Sequence, residues 1–182
     1  MRKHRRSVCL LLGMVFVGTW LALGQAQGQD GKAIGLRAGI SDSRNRENFT
    51  QYEGFVTYPL PWTWRFASDG ALGTYIEANA GALTGGGTTE VVASVGPGIK
   101  FQTAGGRINL WLGINPALIS DAEFGDEDLG GYFQFTSHAG LSFHFLPQWG
   151  VGYRFQHMSN AGIYDANPGV NLHMLELNYR FE

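Results

Sequence analysis

The segment FQFTSHAGLSFHF, residues 133–145, alternates between a mostly apolar set of side chains and a polar or small set. The first set contains four phenylalanines and Leu141, and the second contains Gln134, Thr136, His138 and His144. Successive side chains of a β-strand point to opposite faces of the sheet. This pattern therefore predicts a strand with one apolar face and one polar face.

The same period of two recurs along the chain, and no convincing helix follows the N-terminal region. Residues 108–114 carry Ile, Leu, Leu and Ile on one face, and residues 91–101 show the same alternation. We predict eight strands, roughly at residues 32–41, 50–60, 71–84, 88–102, 106–115, 131–144, 148–159 and 169–181.

The side chains also indicate which face of the sheet points inward. The polar set is small, whereas the apolar set is bulky and rich in aromatic residues. An eight-stranded barrel is only just wide enough to be filled by side chains, so we expect the polar set inside and the apolar set against lipid. The predicted fold is an all-β, eight-stranded, antiparallel up-and-down transmembrane β-barrel. The alternative, a soluble barrel of the lipocalin kind, requires the large aromatic face inside a narrow barrel.

The N-terminal residues have the pattern of a secretory signal peptide. MRKHRR is basic, SVCLLLGMVFVGTWLAL is apolar, and small residues follow, so cleavage is expected after Gly24 or Ala26. We predict a signal peptide at residues 1–26 and a single outer-membrane domain at residues 27–182. With the fold, this predicts the cell outer membrane of a Gram-negative bacterium.

Charge and cysteine content exclude several classes of protein. Charged residues make up 15% of the chain, against about 25% in a typical soluble domain. Cys9, the single cysteine, lies in the expected signal peptide, so no internal disulfide forms. Loss of that peptide leaves nine basic residues against 15 acidic ones, a formal net charge of −6. This balance argues against nucleic-acid binding, which needs a basic surface.

The predicted connections orient the barrel. Long polar connections are expected at 42–49, 116–130 and 160–168, and tight turns at 103–106 and 146–148. Outer-membrane barrels carry long loops outside and short turns in the periplasm. Two segments disagree, because 85–87 is short for an outer loop and 60–70 is long for a turn.

The segment YRFQHMSNAGIYDANPGVNLHMLELNYRF, residues 153–181, carries the candidate chemistry. Its first strand continues an apolar face into His157 and Ser159, near the expected extracellular rim. A histidine beside a serine can act as general base while the hydroxyl attacks an ester. By parity Asn171 shares the outer face of the last strand and could orient His157. The spacing H-x-S alone is weak, since such residues are often only interfacial.

The fragments RFQHMSNAGI, NPGVN and LNYRF together resemble the C-terminal signature of the outer-membrane lipid A 3-O-deacylases, the PagL family. The resemblance implies an esterase that removes the 3-O-linked acyl chain of lipid A in lipopolysaccharide, without cofactor or metal. It implies Ser159 as nucleophile, His157 as base, and an oxyanion hole formed by Asn167 and the backbone N–H of Gly162. It also implies that Asn160 supports this loop.

One position departs from the family pattern. The resemblance implies a glutamate as third member of the triad, where this chain has Asn171. Either Asn171 orients His157, or an acid such as Asp165 replaces the glutamate. The missing acid also keeps two other hypotheses open, a non-catalytic outer-membrane barrel of structural or adhesion type and a lipid A acyl transferase. A homodimer is an assembly that the sequence leaves open.

Overall fold

The structure, a computed structural model, describes residues 31–181. The signal peptide expected at residues 1–26 lies outside this range and stays a prediction. Two short strands form a sheet of their own, and residues 104–106 form a 3₁₀ turn. The strands are β1 (Ala33–Ser41), β2 (Thr50–Arg65), β3 (Ala71–Gly85), β4 (Thr88–Gln102), β5 (Ile108–Ile119), β6 (Glu123–Phe124), β7 (Glu127–Asp128), β8 (Phe133–His144), β9 (Trp149–Ser159) and β10 (Val170–Arg180).

Eight of these strands form a closed barrel in the order β1-β10-β9-β8-β5-β4-β3-β2. All neighbours are antiparallel, and β1 pairs with β10 from Ala33↔Arg180 to Ser41↔Leu172. Closure leaves no unpaired sheet edge among the barrel strands. The predicted eight-stranded up-and-down β-barrel is confirmed.

The helical content of the described chain is minimal. Within residues 31–181 we find no helix with the length and apolar character needed to cross a membrane.

The two ends of the barrel differ in the length of their connections. At one end, here the turn end, the connections are 66–70, 103–107 and 145–148. At the other, the loop end, they are 42–49, 120–132 and 160–169, together with the two-residue turn Gly86–Gly87. The short β3–β4 connection that disagreed with the predicted pattern is therefore real.

Strand β2 is longer than predicted. The alternation weakens after Pro59, so the expected strand ended near residue 60. The structure continues β2 to Arg65 across a register shift between Pro59 and Thr63. Proline cannot donate to the ladder and is accommodated at such irregularities. The connection to β3 shrinks to residues 66–70, which removes the second disagreement in the predicted loop pattern.

The middle of the lumen holds a charged network. Arg37 donates to Glu53 at 2.9 Å, to Glu77 at 2.6 Å and to Glu176 at 2.8 Å. Arg154 contacts the second oxygen of Glu77 at 2.8 Å. Buried charges are tolerated only when they are paired and hydrogen-bonded, so this network ties the strands that carry them together across the barrel.

The lumen near the loop end is apolar, which the sequence analysis did not predict. Phe49 and Leu129 come from connections and Phe124 from the short hairpin, and all three fold inward against buried strand residues. This apolar plug gives the loops a rigid base. Its members are Phe49, Leu83, Val92, Ile119, Ala122, Phe124, Leu129, Met158, Val170, Leu172 and Met174.

The outside of the barrel presents large apolar side chains from every barrel strand, as the alternation predicted. Examples from the middle of the wall are Leu36, Val56, Ile76, Val95, Leu112, Leu141, Val151 and Leu175.

Candidate functional site

The predicted pair lies at the loop end of β9, on the outside of the barrel. His157 and Ser159 are half-buried, while Met158 between them points into the apolar plug. This is the expected consequence of the period-two strand. Among residues 31–181 the Ser159 hydroxyl has no side-chain hydrogen-bond partner, so it is available to a ligand.

Asn171 is on the outer face, as parity predicted, and the β9–β10 register places it directly opposite His157. His157 Nδ1 and Asn171 Oδ1 are 2.7 Å apart. Since an amide oxygen only accepts, Nδ1 must carry a proton in this arrangement and Nε2 is the basic nitrogen. The structure thus brings together His157, Ser159 and Asn171 on one face.

Asp165, the alternative acid, is not part of this arrangement. It is exposed in the connection 160–169 and makes no hydrogen bond or ion pair with the rest of the described chain. Asn171 already occupies the Nδ1 side of His157.

The connection 160–169 is held in place by Asn160, which is fully buried. Its side-chain amide donates to the carbonyl oxygens of Leu129 at 3.0 Å and Ala166 at 2.6 Å. Ile163 N–H donates to the Asn160 carbonyl, and both central residues of this turn, Ala161 and Gly162, have positive φ. Glycine adopts positive φ at no steric cost, so the turn explains why Gly162 occupies this position of the N-A-G segment.

The two predicted oxyanion-hole groups differ in availability. Gly162 N–H donates to Asn160 Oδ1 at 2.9 Å, so it is engaged within the turn. Asn167 Oδ1 accepts from Asn160 N–H at 3.0 Å, and its Nδ2 has no partner among the described residues. Asn167 is exposed, so this amide can reach a ligand at the rim.

Gly169 of the N-P-G segment lies against the histidine ring. Its φ is +68°, and a Cβ there would approach His157 Cε1 to 2.9 Å. Its carbonyl accepts from Asn45 Nδ2 at 2.7 Å. Glycine at this position therefore lets the backbone pass close behind the imidazole.

Sequence reasoning missed the contribution of the β1–β2 connection. Asn45 holds Gly169, and Asp42 Oδ2 accepts from Asn171 Nδ2 at 3.1 Å. The β1–β10 register places Ser41 opposite Leu172, so counting pairs across the closed barrel would have brought residue 42 beside Asn171. No local motif marks either residue.

Comparison with known proteins is consistent across sequence and structure. Residues 50–180 match the family model described as Lipid A 3-O-deacylase (PagL). The lipid A deacylase PagL of Bordetella bronchiseptica is 32% identical over 176 residues, covering 94% of this chain and 95% of that protein. The lipid A deacylase PagL of Pseudomonas aeruginosa is 31% identical over 130 residues, covering 66% and 75%.

A solved structure shares the fold. The crystal structure described as that of the outer membrane enzyme PagL matches with a TM-score of 0.72 at 25% identity, covering 82% of this chain and 99% of that one. With a family model over residues 50–180 and a relative at 32% identity along nearly the whole length, the chain belongs to the lipid A 3-O-deacylase (PagL) family of outer-membrane esterases.

Proposed function

We propose that this outer-membrane enzyme hydrolyses the 3-O-linked acyl chain of lipid A with Ser159 as nucleophile and His157 as general base. The observation that carries the proposal is the hydrogen bond that sets the tautomer of the His157 imidazole. Asn171 engages Nδ1 at 2.7 Å, which leaves Nε2 as the base on the same outer face as Ser159. Family membership supports the ester hydrolase over the non-catalytic barrel.

The reaction proceeds in two halves. His157 Nε2 takes the Ser159 proton while Oγ attacks the ester carbonyl carbon, and the resulting oxyanion is stabilised by Asn167 Nδ2. The carbon–oxygen bond to the sugar then breaks as His157 returns the proton to the sugar oxygen. Water then attacks the acyl carbon with His157 again as base, the bond between this carbon and Ser159 Oγ breaks as His157 returns the proton to Oγ, and the fatty acid leaves. Every step uses groups of this chain and water.

The Gly162 N–H serves as second oxyanion donor in this proposal. In the free enzyme it is bound to Asn160 Oδ1. A small rotation of the turn, or a shared hydrogen bond, is required before it can reach a developing oxyanion. Asn167 Nδ2 is therefore the main donor of the oxyanion hole and Gly162 N–H the weaker one.

The outer wall faces lipid in this proposal, with the loop end outside the cell. The large apolar side chains on the wall support this orientation, because exposure of so many to water is unfavourable. His157 and Ser159 then lie at the depth where acyl chains are esterified to the sugars of lipid A. The substrate reaches them laterally from the outer leaflet.

The test is a deacylation assay with refolded protein and lipopolysaccharide, read by mass spectrometry of lipid A. Wild type releases one 3-O-linked acyl chain as free acid, and Ser159→Ala and His157→Ala do not. The matched control is Ser137→Ala, because Ser137 is opposite His157 on the neighbouring strand β8 and is also half-buried.

The comparison of Ser137→Ala with Ser159→Ala identifies which serine is the nucleophile. We expect Ser137→Ala to retain wild-type activity. If Ser137→Ala is inactive and Ser159→Ala is active, Ser137 is the nucleophile and the proposed assignment is wrong. An acyl chain recovered on a second lipid would instead indicate a transferase.

A further inference from the structure

The third position of the site holds an amide where a triad ordinarily has a carboxylate, and a carboxylate lies directly behind that amide. Asn171 Oδ1 is 2.7 Å from His157 Nδ1, and Asn171 Nδ2 is 3.1 Å from Asp42 Oδ2. The three side chains form one continuous line of hydrogen bonds, from Asp42 through Asn171 to His157.

The position of Asp42 is fixed by more than this one bond. Its backbone N–H donates to the Asn171 carbonyl at 3.1 Å, which extends the β1–β10 ladder by one residue. The Asp42 side chain is 22% exposed, so its charge is less screened than that of a fully exposed acid. The backbone hydrogen bond thus holds Asp42 next to Asn171.

An amide next to a histidine can point either way, and the two orientations have opposite chemical consequences. With Oδ1 toward Nδ1, the ring carries its proton on Nδ1 and Nε2 is a base. With the NH2 group toward Nδ1, the ring is held with Nδ1 as acceptor and Nε2 protonated, which cannot accept the Ser159 proton.

We propose that Asp42 is a positioning residue that fixes this choice. A carboxylate only accepts hydrogen bonds, so it takes the NH2 group of Asn171 and leaves the amide oxygen for His157. This inference rests on the proposed roles of Ser159 and His157. It explains how a deacylase functions with Asn171 in the triad, because the negative charge is present one residue further from the ring.

The neighbouring arginine limits how much Asp42 can act through charge alone. Arg44 Nε is 3.2 Å from the same Asp42 oxygen that accepts from Asn171, and the Arg44 side chain is 78% exposed. It offsets part of the carboxylate charge seen by His157. Orientation of the Asn171 amide is therefore the larger effect, and direct stabilisation of the imidazolium the smaller one.

The experiment compares Asp42→Ala, Asn171→Glu and the double variant, with Arg44→Gln as matched control. In Asp42→Ala we expect kcat to fall about ten- to a hundredfold at nearly constant KM, less than the roughly 10⁴-fold loss for a histidine held in the wrong tautomer. Arg44→Gln, which removes the ion pair and keeps the Asp42–Asn171 bond, stays within about threefold of wild-type kcat.

The double variant shows whether Asp42 acts by orienting Asn171 or by holding the β1–β2 connection in place. The carboxylate introduced by Asn171→Glu can contact His157 directly, so this substitution should restore most of the activity lost in Asp42→Ala. Alone, Asn171→Glu brings two carboxylates together and should be less active than the double variant. Failure of Asn171→Glu to restore activity to Asp42→Ala overturns the proposal, because Asp42 then acts by holding the β1–β2 connection.

The proposal and the catalytic assignment fail in different ways. Wild-type kcat in Asp42→Ala, with Ser159→Ala and His157→Ala inactive, refutes the role of Asp42 and leaves the deacylase mechanism intact. Activity in Ser159→Ala and His157→Ala refutes the mechanism itself. Heat-modifiable migration on gels verifies that each variant has formed the barrel.

Discussion

In the lumen, Arg37 contacts three carboxylates directly, whereas on the outer wall His157 is connected to the carboxylate of Asp42 through the amide of Asn171. Arg37 uses Nε, Nη1 and Nη2 for Glu176, Glu53 and Glu77 at 2.6 to 2.9 Å. On the wall, Asn171 stands between His157 and Asp42. In the lumen the charged side chains form direct ion pairs, whereas on the wall a neutral amide lies between the imidazole and the carboxylate.

The difference separates polar groups that hold the barrel together from polar groups that are available for reaction. In the lumen, His138 Nε2 is 2.9 Å from the Tyr75 hydroxyl and the side chain is buried. On the wall, Ser159 has no side-chain partner in the described chain and only Nδ1 of His157 is engaged. His138 also has one unpaired nitrogen, Nδ1, but that atom is buried, whereas the His157 and Ser159 side chains are only half-buried and can be reached from outside. In the proposed orientation this wall faces lipid, where an unpaired donor or acceptor is costly, so accessible polar groups there favour a functional role.

The largest effect expected from this comparison is the contrast between the two histidines. His157→Ala should lower kcat/KM by about 10³-fold or more, since it removes the general base, and should leave stability nearly unchanged. His138→Ala should cost about 1–3 kcal/mol of unfolding free energy and keep kcat within about twofold once folded. Deacylation kinetics and urea unfolding in lipid vesicles measure both. Loss of activity in folded His138→Ala would contradict the division of roles.

The next effect concerns the luminal charges. Glu77→Gln should destabilise the barrel by about 3–5 kcal/mol, because Glu77 pairs with both Arg37 at 2.6 Å and Arg154 at 2.8 Å. Glu53→Gln is the matched control and should cost less, since the Arg154–Glu77 pair survives it. Unfolding in denaturant measures the difference. Equal costs would show that the network does not depend on Glu77 as the shared partner.

Much of the fold could be predicted from the sequence because strand alternation reports directly which side chains share a face. It indicated eight strands, the inward direction of His138 and His144, and the outward direction of His157, Ser159 and Asn171. It failed where the pattern was interrupted, as in β2 after Pro59. It also missed the apolar plug, since Phe49 and Leu129 lie in connections that have no period.

The candidate site was predictable to the same extent and for the same reason. Residues of β9 and β10 were placed by parity, and the structure brings His157 and Asn171 into contact. Asp42 and Asn45 reach the site from the opposite end of the chain, across the β1–β10 seam that exists only after closure. A contact that depends on closure leaves no trace in local spacing.

A smaller effect tests the amide itself. Asn171→Ala should lower kcat/KM about ten- to a hundredfold, part of the roughly 10²–10⁴ that a positioned general base supplies, because His157 Nδ1 loses its acceptor. Asn178→Ala is the matched control on the same strand, since Asn178 faces the lumen and donates to Glu176 at 2.8 Å. It should change activity by less than about twofold. Wild-type kinetics in Asn171→Ala would remove Asn171 from the site.

The smallest effect is expected at Asp165, which lies near Ser159 in sequence and makes no polar contact with the rest of the described chain. Asp165→Ala and Asp165→Asn should both stay within about twofold of wild-type kcat/KM, measured in the same deacylation assay. A loss of about tenfold or more in both variants would mean that the connection 160–169 moves on substrate binding and brings this carboxylate to His157. Removal of the Asp42 carboxylate should lower kcat more than removal of the Asp165 carboxylate. Asp42 is 129 residues from Asn171 in sequence but contacts it across the barrel seam.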